Sequence, residues 1–157
     1  MRYLQGNGSE SRHKPGKKGY IAIAIQAIFS EYRPVGGRVI VDGEIHEYEN
    51  LWMAAAMNGR CQGGGMLFAP EQDRGSDILT CMVWHGTSAL GTLLHFPSVI
   101  RGTHAKYTKY CDFFTGREIT VELDEPTSLQ YDGETIPSVT VYTARKEPRP
   151  AGGSSPL

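Results

Sequence analysis

The chain has 157 residues, 39% of them apolar and 21% charged. That length can bury the core of one ordinary domain, or of one lobe of a larger enzyme, and the balance excludes wholesale disorder. A formal net charge of −1 gives no electrostatic basis for binding nucleic acid, and none is expected as a partner.

Residues 1–18 carry Arg2, Arg12, Lys14, Lys17 and Lys18 against the single Glu10, among Gly6, Gly8, Pro15 and Gly16. They predict a flexible basic leader, either a solvated arm or one drawn to anionic lipid headgroups. No apolar stretch shaped for secretory cleavage follows, and the most apolar run, Tyr20 to Phe29, is far short of a membrane span. A cytoplasmic protein is expected, with peripheral contact at a membrane.

Gly19 to Tyr32 is the strongest helix candidate, because Ile21, Ile25, Ile28 and Tyr32 fall on one stripe at helical spacing. Ile21, Ile23 and Ile25 also alternate, and length favours the helix. Pro34, Gly36 and Gly37 end it. Arg38 to Asp42 then predicts a strand, with Asp42-Gly43 as a tight turn. Ile45 to Glu49 alternates weakly, and Leu51 to Met57 reads as a strand covered on both faces.

Asp77 to Trp84 is a second buried strand. Leu90, Leu93, Leu94 and Val99 predict a short helix within Thr87–Arg101, interrupted by Pro97. Glu118 to Leu123 and Ser138 to Thr143 alternate as half-buried strands. Residues 146–157 are rich in Pro, Gly and Ser, with no core residue before Leu157, and predict a disordered tail. The domain proper is expected over residues 19–145, in a mainly β, α+β fold with one or two helices.

Cys61, Cys81 and Cys111 are odd in number and far apart, which predicts reduced thiols, with Cys81 a core residue. The five histidines lack the spacing of a zinc site. Four short segments are left as candidates for chemistry. Asn58-Gly59-Arg60-Cys61-Gln62-Gly63-Gly64-Gly65-Met66 predicts a structural turn or a backbone that approaches a ligand closely; no Gly-Lys-Ser/Thr follows, so it is not a phosphate loop. Asp73-Arg74-Gly75-Ser76-Asp77 offers oxygen ligands of the kind Mg²⁺ takes, or is an ordinary acidic loop. Asp132-Gly133-Glu134 places a carboxylate on a turn, as a solvated residue or a general base. His104, Lys106 and Lys109 form a basic cluster, a solvated loop or a contact for an anion.

The order of these segments resembles the C-terminal domain of the diacylglycerol kinase-like lipid kinases, a family that includes bacterial diacylglycerol kinases and the sphingosine and ceramide kinases. The track runs from about Gly19 to Arg145. It passes through Val39-Ile40-Val41-Asp42-Gly43, Asn58-Gly59, Gly63-Gly64-Gly65-Met66, Ala69-Pro70 and the late Asp132-Gly133-Glu134. The resemblance implies an antiparallel β-sandwich that forms one side of a cleft, facing an N-terminal nucleotide-binding lobe. It implies ATP- and Mg²⁺-dependent phosphorylation of a lipid hydroxyl, on diacylglycerol or a sphingoid base.

By motif position it assigns Glu134 as the base that takes the hydroxyl proton. Asn58, Gly63, Gly64, Gly65 and Asp132 become cleft-shaping residues. Asp73, Ser76 and Ile78 fall where family members often carry a structural Mg²⁺ loop, although Ser76 stands where an acid is expected and Asp77 where a glycine is. No Gly-Gly-Asp-Gly-Thr nucleotide motif occurs in the chain. The expectation is therefore a lobe that is inactive alone, as a fragment or split product. The alternative is a non-catalytic module that binds lipid or a protein partner.

Overall fold

A computed structural model describes residues 16, 18–19, 22–23, 25–26, 32–62, 65–131 and 134–147. The described residues between 18 and 26 have helical backbone, and Ile25 packs against the core. Most of the leader and residues 148–157 lie outside the described residues, as do Ile21 and Ile28 of the expected stripe.

Six strands follow: β1 (Val35–Val41), β2 (Glu44–Met57), β3 (Leu79–His85), β4 (Cys111–Gly116), β5 (Glu118–Tyr131) and β6 (Glu134–Arg145). One helix, α1 (Ala89–Arg101), joins β3 to β4, followed by a 3₁₀ turn at His104–Lys106. All strand pairs are antiparallel, in the order β4-β3-β2-β1-β5-β6. The expected mainly β fold is what forms.

Chain connectivity decides the shape of this sheet. Only Arg117 separates β4 from β5, yet three other strands lie between them in the sheet order. The sheet must therefore fold over until its two halves face each other, in the manner of a sandwich. Between the halves lie Val39 and Val41 of β1, Leu51 of β2, Leu79, Cys81 and Val83 of β3, and Ile119 and Val121 of β5. The outer face of β2 and β3 carries a second cluster, with Met57, Met82 and Trp84 packed against Phe96 and Val99 of α1.

Strand β3 shows how the sequence produces two cores. Its alternate residues Leu79, Cys81 and Val83 fill the first and Met82 and Trp84 the second, which is why the run reads as continuously apolar. In β2, a register shift between Leu51 and Met53 sets Leu51 on the same side as Ala54 and Ala56. A bulge does this by adding one residue to a period of two.

The β4–β5 corner rests on the β1–β2 hairpin. Asp42 (φ 49°) and Gly43 (φ 91°) form its two-residue turn, the left-handed pair that such hairpins favour. The Asp42 carboxylate accepts the N–H groups of Arg117 (3.0 and 3.1 Å) and Glu118 (2.9 Å). Gly116 is needed beside it: a Cβ there would lie 2.5 Å from Val41 Cγ1. Asp42→Ala loses these acceptors and places alanine in a left-handed conformation, and is expected to cost about 2 kcal/mol. Asp42→Asn tolerates that backbone and should cost less than half as much, as read from urea midpoints.

Lys146, the first residue assigned to the tail, is tied to the domain. Its N–H donates to Arg117 O at 2.8 Å, and its ammonium reaches Asn58 Oδ1 and, at 3.2 Å, Arg74 O.

Candidate functional site

The glycine block forms a miniature hairpin. Gln62 and Met66 exchange both backbone hydrogen bonds at 3.0 Å, and Gly65 takes φ 95°, a conformation that favours glycine. Gly63 and Gly64 lie outside the described residues. This loop joins two bridging residues and opens no helix, so it lacks the helix N-terminus of a phosphate cradle.

Beside it, Asn58, Gly59, Arg74 and Lys146 form one group. Arg74 lies over Gly59, where a Cβ would come within 3.0 Å of its guanidinium. Arg60 Nε donates to Pro70 O at 2.7 Å. Gly59, Arg60 and Arg74 line an open hollow together with Glu71 and Asp73.

The loop at Asp73 is organised by a residue that no acidic pattern marks. Gln72 is 4% exposed. Its Nε2 donates to the carbonyls of Asp73 (2.9 Å) and Ile78 (3.0 Å), while its Oε1 accepts from Thr80 Oγ1 at 2.6 Å. The single Ser76 hydroxyl proton is shared between the same two carbonyls, at 2.7 and 3.1 Å. Asp73 Oδ1 accepts from Gly75 N at 2.8 Å. These carbonyls are the oxygens a Mg²⁺ would use, and they already face N–H and O–H donors. Among the described residues no three His, Cys, Asp or Glu side chains gather as a metal site. The donor set at Asp73, Ser76 and Ile78 therefore does not fit a resident cation.

Glu134 is exposed at the first position of β6 and pairs with Tyr131 across the turn. Asp132, inside that turn, lies outside the described residues. Arg145 is at the opposite end of β6, paired with Glu118, and leads directly to Lys146 and Asn58. Glu134 and the Asn58 group thus occupy opposite ends of the β5–β6 hairpin. The chain gathers Asn58, Arg74, Asp73 and Lys146 and does not bring Glu134 among them.

The expected basic cluster separates. His104 is fully buried, with Nε2 3.0 Å from Phe68 O, whereas Lys106 and Lys109 are exposed over the rings of Tyr107 and Tyr110. Burial holds His104 below its usual value, partly offset by the Phe68 carbonyl. The unfolded chain then takes up this proton first. His104 contributes stability above pH ~6.5 that is lost as pH falls below it. Urea midpoints measured from pH 7.5 to 5 should fall with acid, and His104→Gln should flatten that slope.

A further polar cluster has no counterpart in any sequence motif. The Tyr48 hydroxyl donates to Asp112 Oδ2 at 2.9 Å. His85 Nε2 lies 2.9 Å from the same oxygen without the alignment of a hydrogen bond. Burial, then Asp112, raises the Tyr48 hydroxyl well above the ordinary phenol range. The cluster ties β2, β3 and β4 together. Cys81 and Cys111 are buried thiols, each pushed up to about 12 mainly by burial. Neither is a nucleophile near neutral pH.

Known proteins share this fold and part of this sequence. The chain is 30% identical over 113 residues to a diacylglycerol kinase of Mycobacterium tuberculosis, in strains CDC 1551 / Oshkosh and ATCC 25618 / H37Rv. That match covers 71% of this chain and 36% of those proteins, so the chain spans about a third of their length. The crystal structure of a diacylglycerol kinase from Bacillus anthracis str. Sterne superposes with a TM-score of 0.58 at 17% identity. It covers 83% of this chain and 45% of that one, and shows a common fold. The family model described as the YegS C-terminal NAD kinase beta sandwich-like domain matches residues 5–151, nearly the whole chain, and the chain belongs to that family.

Proposed function

We propose that this domain is the C-terminal lobe of a lipid kinase, and that it supplies the general base for phosphorylation of a lipid hydroxyl. The family match over residues 5–151 carries the reading. Glu134 supports it as an exposed carboxylate at a hairpin turn, open to a substrate that arrives from outside the sheet. Its carboxylate would accept the hydroxyl proton as the lipid oxygen bonds to the γ-phosphorus of ATP and the bond from that phosphorus to the bridging oxygen breaks, releasing ADP. Phosphoryl transfer otherwise requires mainly positioning and charge neutralisation.

ATP and Mg²⁺ belong to the other side of the cleft in this reading. Diacylglycerol is the first substrate to test, and a sphingoid base the second.

The test combines the purified chain with a separately produced nucleotide-binding lobe, radiolabelled ATP, Mg²⁺ and diacylglycerol in mixed micelles. Labelled lipid should form with both lobes present and not with either alone. Transfer by this chain alone would overturn the division of labour. No transfer in the assembled pair, with both lobes shown to associate, would favour the non-catalytic module.

A further inference from the structure

Helix α1 packs Leu93 and Ile100 against the core and still leaves two leucines outside that face. The side that faces the sheet buries Thr92 and Ser98 along with Phe96 and Val99, and Thr92 Oγ1 accepts from Trp84 Nε1 at 3.0 Å. The outward stripe at i, i+4, i+7 and i+11 is Leu90, Leu94, Pro97 and Arg101, all exposed. Leu90 is 61% exposed and Leu94 70%. A helix on a protein surface ordinarily turns its polar side to water. Here Trp84 holds the Thr92 hydroxyl, Ser98 Oγ donates back to His95 O within the helix, and two leucines are left facing outward.

The surroundings indicate what covers them. From Ile78 to Cys111 the sequence has no Asp or Glu, while Arg101, Lys106 and Lys109 are present and exposed. Lys106 Nζ sits 5.0 Å from the Tyr107 ring centre and Lys109 Nζ 5.4 Å from that of Tyr110. His95 of α1 packs against both tyrosines, at 4.3 and 5.6 Å between ring centres. The lysine–tyrosine pairs are thus anchored to the helix that bears the leucines. Exposed leucines bordered by aromatic rings and by uncompensated positive charge match an anionic bilayer surface, apolar below and negative at the headgroups. A protein partner would need a surface both apolar and acidic.

We infer that α1 and the Lys106–Tyr110 segment dock on anionic lipid bilayers, with Leu90 and Leu94 entering the acyl boundary and Arg101, Lys106 and Lys109 contacting headgroups. No helix among the described residues is long and apolar enough to cross a membrane, so the contact lies in the interface plane. The inference rests on the surface of the helix and not on Glu134, so it stands or falls separately from the kinase reading.

Co-sedimentation of the full chain with vesicles tests it, using phosphatidylcholine alone and phosphatidylcholine containing phosphatidylglycerol. Binding should require the anionic lipid and weaken with added salt. Leu90→Ser/Leu94→Ser should lower partitioning at least about tenfold. Each of Arg101→Gln, Lys106→Gln and Lys109→Gln should lower it about five-fold. These side chains are exposed, so circular dichroism should be unchanged. A variant with Arg2, Arg12, Lys14, Lys17 and Lys18 all changed to Gln controls for the leader. Helix-dependent binding that survives in it supports the inference. Loss of all binding with the leader charges, and none with the helix variants, overturns it. Absence of binding to anionic vesicles also overturns it, as does a dimer that dissociates on Leu94→Ser without any vesicle binding.

Discussion

Glu134→Gln is expected to lower phosphoryl transfer by the assembled two-lobe kinase by about 10²- to 10⁴-fold, the usual contribution of a positioned general base. Gln keeps the size and the acceptor oxygen but cannot take a proton. The lipid KM should change little, and the loss should fall on kcat. Glu134 is exposed and its backbone pairs with Tyr131 across the β5–β6 turn, so the melting temperature should hold within a degree or two. A structural role would reverse this pattern, with stability lost and transfer retained. Glu134→Asp is the informative third variant. It keeps the carboxylate but withdraws it by one methylene, and should give an intermediate rate. If Glu134→Gln turns over as fast as the unchanged chain, the base lies elsewhere. The Asn58 group then becomes the next place to look, because it occupies the opposite end of the hairpin.

The strands with the clearest patterns in the sequence are those that face a core on at least one side. Ile119 and Val121 alternate against polar neighbours, and both are buried. The β3 run is apolar throughout because its two faces serve two cores. Strand β2 is harder to read. It is one strand from Glu44 to Met57, yet its first half is largely exposed and polar, so the sequence suggests two pieces. Nothing local marks β4. Tyr110-Cys111-Asp112-Phe113-Phe114 has no period of two, since Cys111 faces the outer core while Asp112 bonds Tyr48. Its pairing with β3 is a long-range fact.

Helix α1 shows how a periodic pattern can divide between two faces. Of the residues that follow the helical period, Leu93 and Val99 pack against the core, while Leu90 and Leu94 are exposed. The buried side is Thr92, Phe96, Ser98 and Val99; Trp84 Nε1 donates to the Thr92 hydroxyl, and the Ser98 hydroxyl is satisfied by His95 O one turn back. The candidate site follows the same rule. The Asn-Gly and Gly-Gly-Gly segments mark tight backbone, and Gly59 and Gly65 meet that need. The acids at Asp73 and Asp77 drew attention to a metal, whereas the organising residue is the neutral Gln72. A buried amide has no spacing signature. Only its three hydrogen bonds identify it.

Gln72 supports the second large effect. Its amide spans from the Asp73–Ile78 loop to Thr80 at the start of β3, in a position almost closed to water. Gln72→Leu retains the volume but leaves two carbonyls with fewer donors and the Thr80 hydroxyl without its acceptor. Unsatisfied buried polar groups cost about 1–3 kcal/mol each. The one Ser76 hydroxyl proton remains to share between the two carbonyls, so a total of about 3 kcal/mol is expected. For a domain of this size that is a fall of roughly 10 °C in Tm. Thr80→Val alone should cost about 1 kcal/mol, and the double variant less than the sum, because the amide–hydroxyl pair is then removed whole. The same geometry predicts that the melting temperature is unmoved by EDTA or by millimolar Mg²⁺. A cation that bound the folded loop would raise Tm with its concentration. A Mg²⁺-dependent rise of several degrees in the unchanged chain would show that the loop carbonyls turn to a metal and that Gln72 does not close the loop. A Mg²⁺ dependence that appears only in Gln72→Leu would instead show the amide occupying the place a cation can take.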